Sequence, residues 1–203
     1  MTENGNHDLI LDATERLLGR YGYSKMSMED IAREAGLARR TLYLYFAGKE
    51  DVALASIDRI VERLLTRLEE IAERNAPPSE RLREMLLTRV LFRFDSVQGY
   101  YQGLDDLLSA IRSSYMSRRQ RYFEAEGRIL ARVIQEGRET GEIRDLDPLR
   151  AANAMLLATA ALMPYSLSVR ELGSRNEVEK RASAIIDLLL NGIQNHLPKE
   201  LPK

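Results

Sequence analysis

The sequence of 203 residues predicts an all-α protein, in which a three-helix head is joined by a long helix to a body of five further helices. Two observations predict this fold class. Apolar residues recur every three or four positions along nearly the whole chain, whereas no segment alternates apolar and polar residues as a half-buried strand does. Glycine and proline fall between the periodic segments and divide the chain into about nine helices.

The head begins with two helices. The first is expected from about Asp8 to Tyr21, because Gly22 is placed to stop it. Ser27 and Asp30 then have the spacing of a capping box, in which each side chain bonds the other's backbone N–H. A second helix is therefore expected directly after Ser27, over residues 28–35.

A third short helix and a long fourth helix follow the break at Gly36. The third is expected over residues 39–46, where Leu42 and Phe46 lie four residues apart and share the face that anchors the helix to the core. The fourth is expected over residues 49–75 and would be about 40 Å long at the standard helical rise.

Pro77-Pro78 separates this first block from the body. Body helices are expected over residues 79–95, 104–114, 116–140, 147–171 and 175–195. The predicted domains are a head over residues 1–50 and a body over residues 51–203.

Composition argues against an enzyme. The chain has no cysteine, and its two histidines, His7 and His196, lie near the ends without a partner at zinc-site spacing. Adjacent carboxylates such as Glu69-Glu70 lie on helices, where neighbouring side chains diverge, and no phosphate-binding glycine motif occurs. We therefore expect no catalysis, no metal and no cofactor.

The sequence also indicates a cytoplasmic protein without a membrane partner. The first eight residues, MTENGNHD, have neither a cationic start nor an apolar run, so no signal peptide is expected. The longest apolar stretch, residues 151–165, contains Asn, Thr and Pro and is shorter than the roughly 20 residues that span a bilayer.

The third helix carries side chains suited to DNA. A helix, a short turn containing glycine and a second helix form a helix-turn-helix, whose second helix directs its first turn toward base edges in the major groove. Arg39 and Arg40 could each donate two hydrogen bonds to guanine, and Thr41 could contact thymine. Leu44 shares a face with Arg40, where it could meet a thymine methyl group.

Phosphate contacts are expected beside this helix. Tyr43 and Tyr45 offer hydroxyl groups, and Lys49 places a cation at a helix N-terminus, where backbone N–H groups favour phosphate. The formal net charge is only −1, so the basic groups must be concentrated along the 39–49 edge. Two alternatives stay open: a solvated helical subdomain, and a helical adaptor that binds another protein instead of DNA.

Residues 10–54, ILDATERLLGRYGYSKMSMEDIAREAGLARRTLYLYFAGKEDVAL, resemble the DNA-binding domain of TetR-family transcriptional regulators. The resemblance lies in the first helix ending in Tyr-Gly-Tyr, in Ser-x-x-Asp-Ile-Ala-x-x-Ala-Gly, and in Thr-Leu-Tyr-x-Tyr-Phe followed by Gly-Lys-Glu. It implies that Thr41, Tyr43, Tyr45 and Lys49 touch DNA, largely its backbone. Arg40 stands where the family often has glycine or another small residue, which suggests an additional contact. The predicted DNA-contacting residues are Ser27, Met28, Arg39, Arg40, Thr41, Tyr43, Leu44, Tyr45 and Lys49.

The last two long helices are expected to form a homodimer, as the resemblance also implies. The 147–171 segment is rich in alanine, which allows helices to approach closely, and the final helix is too apolar to face water all round. A two-fold dimer would place two recognition helices about 34 Å or more apart on the DNA. An intramolecular core alone is the alternative. The predicted interface residues are Ala158, Leu162, Ile185, Ile186, Leu189 and Ile193.

Helix 79–95 is apolar on both sides and also carries Arg89 and Arg93. Because a buried charge needs a partner, these arginines face either an internal carboxylate, Asp105 or Asp106, or the anionic head group of a ligand. The resemblance implies a repressor of a palindromic operator that is released when a small, largely apolar effector of unknown identity binds the body. Candidate effector-binding residues are Met85, Arg89, Phe92, Arg93, Tyr100, Tyr101, Met116, Tyr122, Met155 and Tyr165.

Overall fold

A computed structural model describes the backbone of residues 3–164 and 169–194 and confirms the all-α fold class. Its helices are α1 Glu3–Lys25, α2 Met28–Ala35, α3 Arg39–Tyr45, α4 Lys49–Ala72, α5 Pro78–Ser96, α6 Leu104–Glu139, α7 Pro148–Ala160, α8 Val169–Leu172 and α9 Arg175–Ile193. A 3₁₀ segment, Gln98–Gly103, joins α5 to α6. Within these ranges, no helix is long and apolar enough to cross a bilayer.

The head forms largely as its local sequence predicts, although α1 begins at Glu3 instead of near Asp8 and resumes after Gly22 as far as Lys25. Gly22 has φ 74° and interrupts α1, and Gly36 ends α2 in the left-handed conformation with φ 69°. The capping box of Ser27 and Asp30 is present at the start of α2. Leu42 of α3 is fully buried, so the opposite face of this helix points outward.

An ionic cluster ties the head to α4. Arg59 on α4 is buried and donates to Asp12 at 2.7 Å and to Glu15 at 2.6 Å, both on α1. Because a buried guanidinium without these carboxylates would be costly, α1 and α4 are held together at this point.

A glycine of α1 allows the head to approach the body closely. A Cβ atom on Gly19 of α1 would lie 2.4 Å from the carbonyl oxygen of Gly99 in the 3₁₀ segment. No larger residue fits there unless the backbones separate.

The helix α5 is surrounded in the body, as its two apolar sides predict, and contacts α4, α6, α7 and α9. The predicted break at residue 115 is wrong, because α6 runs without interruption through 36 residues. Neither glycine nor proline lies near this position, and Tyr115 is buried in the core. Serine residues 113 and 114 therefore do not end the helix.

The predicted helix 147–171 is also wrong in extent, since α7 ends at Ala160. Pro164 explains this end. If the helix continued, the ring of Pro164 would clash with the carbonyl group of Ala160, four residues earlier, and no N–H would be available to bond it. The buried apolar residues form one cluster from Ile10 to Leu190, so the division at residue 50 stays a prediction.

Candidate DNA-binding surface and body cavity

The outward face of α3 presents an arginine beside apolar and hydroxyl groups. Arg40 is exposed, Leu44 is 77% exposed and Tyr43 is 44% exposed. Thr41 lies half-buried in the first turn. This face is held outward because Leu42 and Phe46 pack the other side of the helix end into the head core.

The two arginines of α3 differ in their partners. Arg39 forms an ion pair with Glu29 of α2, and its guanidinium lies 5.5 Å from the ring centre of Tyr43. Arg40 makes no ion pair or side-chain hydrogen bond with any residue that the structure describes. Arg40 is therefore the arginine whose donors are available for a ligand.

Four other predicted DNA contacts are less available. Met28 is buried, and the Ser27 hydroxyl is used in the capping box. Lys49 donates from Nζ to the carbonyl oxygen of Tyr23 at 3.0 Å and lies over that ring, which turns it toward α1. Tyr45 is half-buried, and its hydroxyl accepts from Asn6 at 3.4 Å. The exposed part of the predicted surface is thus centred on Arg40, Tyr43 and Leu44.

A small cavity of about 30 Å³ lies in the body, with room for one or two water molecules. We call it the body cavity. Its described lining residues are Arg89 and Arg93 of α5, Tyr115, Arg119, Tyr122, Phe123 and Glu126 of α6, Ala160 of α7, and Met163. A larger cleft of about 1120 Å³ lies between α1 and the 3₁₀ segment, but it is open to solvent and would not enclose an apolar ligand.

Glu126 neutralises part of the charge in the body cavity. Its carboxylate is 1% exposed and accepts hydrogen bonds from both Arg89 and Arg93. Arg89 also donates to the Thr159 hydroxyl at 2.9 Å. Burial alone would raise the pKa of Glu126, but Arg93 and Arg89 together lower it to about 2. The internal partner predicted at Asp105 or Asp106 is therefore wrong: it is Glu126.

Arg119 adds a further positive charge to the cavity wall. It is half-buried, and it forms no ion pair with any residue that the structure describes. The described wall thus contains three guanidinium groups and one carboxylate.

Tyr122 joins the cavity wall to α4. Its hydroxyl donates to Asp58, which also accepts a hydrogen bond from Arg118. Burial, followed by the contact with Asp58, raises the pKa of Tyr122. Asp58 is the neighbour of Arg59, so adjacent residues of α4 bind the cavity wall and the head.

The predicted effector-binding residues separate into distinct environments. Arg89, Arg93 and Tyr122 line the body cavity. The others that the structure describes lie elsewhere: Met85, Tyr100 and Met155 are in the core, Met116 is largely exposed, and Phe92 lies beneath Arg67 at the α4–α5 surface. The side chain of Tyr101 and the whole of Tyr165 lie outside the described residues.

Sequence reasoning missed most of the α6 contribution. The missed α6 residues are Tyr115, Arg119, Phe123 and Glu126, which recur every three or four positions and share one helix face. Arg119, Phe123 and Glu126 all lie within the predicted helix 116–140, but no local pattern shows which face of that helix packs against α5.

The predicted dimer residues also differ in exposure. Ile186 and Leu162 are buried within the chain itself and cannot form a dimer surface without unfolding. Ala158, Ile185, Leu189 and Ile193 are half-buried. Beside them, Leu157 of α7 is 62% exposed and Leu188 of α9 is 75% exposed, which marks the outward apolar face of these helices.

Comparisons with known proteins show which proteins the chain resembles. Residues 10–56 match the family model for bacterial regulatory proteins of the tetR family. The chain is 25% identical to the fatty acid metabolism regulator protein of Bacillus subtilis over 189 residues. This alignment covers 92% of this chain and 94% of the relative.

Solved structures share the whole fold. A transcriptional regulator from Cytophaga hutchinsonii superposes with a TM-score of 0.74 at 21% identity, over 93% of this chain and 98% of that chain. SmeT, the repressor of a multidrug efflux pump of Stenotrophomonas maltophilia, superposes with a TM-score of 0.71 at 21% identity, over 97% of this chain and 96% of that chain. SmeT is also similar to this chain in its complex with triclosan, with a TM-score of 0.68 at 20% identity, over 98% of this chain and 99% of that chain.

Proposed function

We propose that this protein is a homodimeric repressor of a palindromic operator and that a small, largely apolar effector releases it. The chain belongs to the TetR family of DNA-binding transcriptional regulators, which are not enzymes. The observation that carries the proposal is the outward face of α3. A buried Leu42 fixes the helix, and Arg40, Tyr43 and Leu44 are presented together on its exposed side.

In the proposed complex, Arg40 reads a base and Tyr43 contacts phosphate. A guanidinium can donate two parallel hydrogen bonds to guanine O6 and N7. Leu44 lies one turn further along the same face, where a thymine methyl group would cover its exposed side chain. Contacts from Tyr43 to the phosphate backbone would position the helix without reading sequence.

The apolar face of α7 and α9 supports the dimer. Leu157 and Leu188 are exposed, and a two-fold axis through this face would bury both with their copies. The same axis would present two α3 helices to the two halves of a palindrome.

The arrangement of α4 supports release by an effector. Asp58 binds Tyr122 in the body cavity wall, and Arg59 binds Asp12 and Glu15 in the head. A ligand that displaces Tyr122 would therefore act on the helix that carries the head. Such a ligand weakens operator binding only if it binds better to the conformation whose heads no longer match the half-sites.

The proposal is tested with the DNA that flanks the protein's own gene. Purified wild-type protein should form a discrete complex in a gel shift, and Arg40→Ala should weaken it about tenfold or more. Arg121→Ala is the matched control, because Arg121 is an exposed arginine of α6, far along the chain from α3. An unchanged affinity for Arg40→Ala would remove the proposed role of the α3 face.

A further inference from the structure

We propose that the body cavity binds the anionic head group of an amphiphilic effector, with Arg119 as the group that pairs with it and Arg89 and Arg93 as neighbouring cations. This inference rests on the proposed function, because it names the chemical class of the proposed effector.

The first argument is the charge of the described wall. Arg89 and Arg93 both bond the carboxylate of Glu126, and both arginines are almost fully buried. Arg119 adds a third positive charge, so the described wall carries two positive charges in excess of its carboxylate. A ligand anion in the cavity would balance part of this excess charge and would pair with Arg119.

The second argument is that Glu126 bonds Arg89 and Arg93 but not Arg119. Its carboxylate already bonds Arg89 and Arg93, whereas Arg119 makes no ion pair with the residues that the structure describes. An anion in the cavity could therefore pair with Arg119 without competing with Glu126. Guanidinium groups bind carboxylate and phosphate oxygens with paired hydrogen bonds, which makes either group a suitable head.

The third argument is the apolar remainder of the wall. Phe123, Ala160 and Met163 lie beside the arginines. A free inorganic anion would leave these apolar groups without a partner. A ligand with an anion at one end and an apolar body at the other would satisfy both kinds of wall.

The cavity must enlarge to hold such a ligand, since its present volume is about 30 Å³. Tyr122 is half-buried in the wall, and its hydroxyl donates to Asp58 of α4. Outward displacement of this ring would enlarge the cavity and disturb α4 at the same time. Binding of the anion and release of the operator would thus share one movement.

The test uses three probes with the same eight-carbon chain: sodium octanoate, octyl phosphate and 1-octanol. Each is titrated into the full-length protein by isothermal calorimetry. We expect at least one of the anions to bind about tenfold or more tightly than the uncharged alcohol. The anion that binds more tightly identifies the head group as a carboxylate or a phosphate.

Variants of α6 locate the effect. Arg119→Gln should weaken binding of the preferred anion about tenfold or more, and Arg119→Lys should restore part of it because the charge is kept. Arg121→Gln should bind as the wild type does, since Arg121 is exposed and does not line the cavity. Equal binding of octanol and the anions, no binding of any probe, or unchanged binding by Arg119→Gln would overturn the proposal.

Operator binding is measured on the same samples without any probe. Operator binding without anion binding would overturn this inference and leave the proposed function intact. Anion binding without any operator binding would overturn the proposed function and leave the anion site in place.

Discussion

At the residue scale, the buried carboxylate of Glu126 on α6 forms ion pairs with both Arg89 and Arg93 on α5. The apolar surroundings of the two arginines predict their burial and their need for a partner. The identity of the partner depends on which turn of α6 faces α5, and no local pattern contains that information. Glu126 lies more than 30 residues from either arginine, so only the folded chain brings them together.

Replacing the carboxylate of Glu126 should destabilise the protein, because the two arginines stay buried. Glu126→Gln leaves Arg89 and Arg93 without their anion, and we expect the free energy of unfolding to fall by about 3 kcal/mol or more. Urea denaturation measures this change, and Glu124→Gln, at an exposed position on the same helix, is the control. A loss below about 1 kcal/mol would show that the cluster does not stabilise the fold.

Because of the same cluster, the free energy of unfolding should depend on pH. The pKa of Glu126 is about 2 in the folded chain, below the value of about 4.3 for an unperturbed glutamate. Its stabilising contribution is therefore present above pH 4.3 and is lost as the pH falls toward 2. The difference in unfolding free energy between wild type and Glu126→Gln should shrink over this interval. A constant difference in urea denaturation from pH 6 to pH 2.5 would contradict it.

At the element scale, the sequence predicts helices well where local signals mark their ends. The capping box of α2, Gly36 and Pro78 give boundaries within a residue or two of those observed. The errors at α6 and α7 arise where tertiary packing or a proline decides. The helix α6 stays continuous through Tyr115 because that residue packs into the core, and α7 stops at Ala160 because Pro164 prevents the next turn.

The contact between α1 and the 3₁₀ segment should be intolerant of side chains. In Gly19→Ala the new Cβ would meet the carbonyl oxygen of Gly99, so α1 must move away from the body. We expect a loss of about 1–3 kcal/mol in unfolding free energy and weaker operator binding, because the head is displaced. Thermal denaturation and a gel shift measure the two effects.

A matched glycine separates this clash from a general effect of alanine. Gly192 of α9 has no neighbouring atom within 4 Å of an added Cβ, and its φ is not positive. Gly192→Ala should therefore leave stability unchanged or slightly higher. Equal behaviour of the two variants would show that the close approach at Gly19 has no role.

At the scale of the whole molecule, the structure corrects the residues that can test the dimer. Ile186 is fully buried within its own chain, so Ile186→Glu should unfold the protein rather than separate two protomers. Leu157→Glu combined with Leu188→Glu places charges on the exposed apolar face instead. We expect folded monomers with much weaker operator binding. Sedimentation and circular dichroism together measure this, and an intact dimer of the double variant would place the interface elsewhere.

The whole molecule also explains why the head was predictable and the body cavity was not. The head is defined by short signals such as Gly36 and Leu42, each acting within a few residues. The cavity is assembled from α5, α6 and α7, whose relative positions depend on contacts between distant parts of the chain. Of its residues, Arg89 and Arg93 could be anticipated because charged groups on an apolar helix need a partner.

The central claim is that the α3 face reads operator DNA, and a salt titration tests it most directly. Fluorescence anisotropy would follow wild type and Arg40→Ala on the operator and on random DNA from about 50 to 200 mM salt. We predict that affinity falls linearly on logarithmic axes, and that Arg40→Ala loses affinity mainly on the operator. A salt-independent affinity, as a protein adaptor would show, or equal losses on both DNAs, would contradict base reading by Arg40.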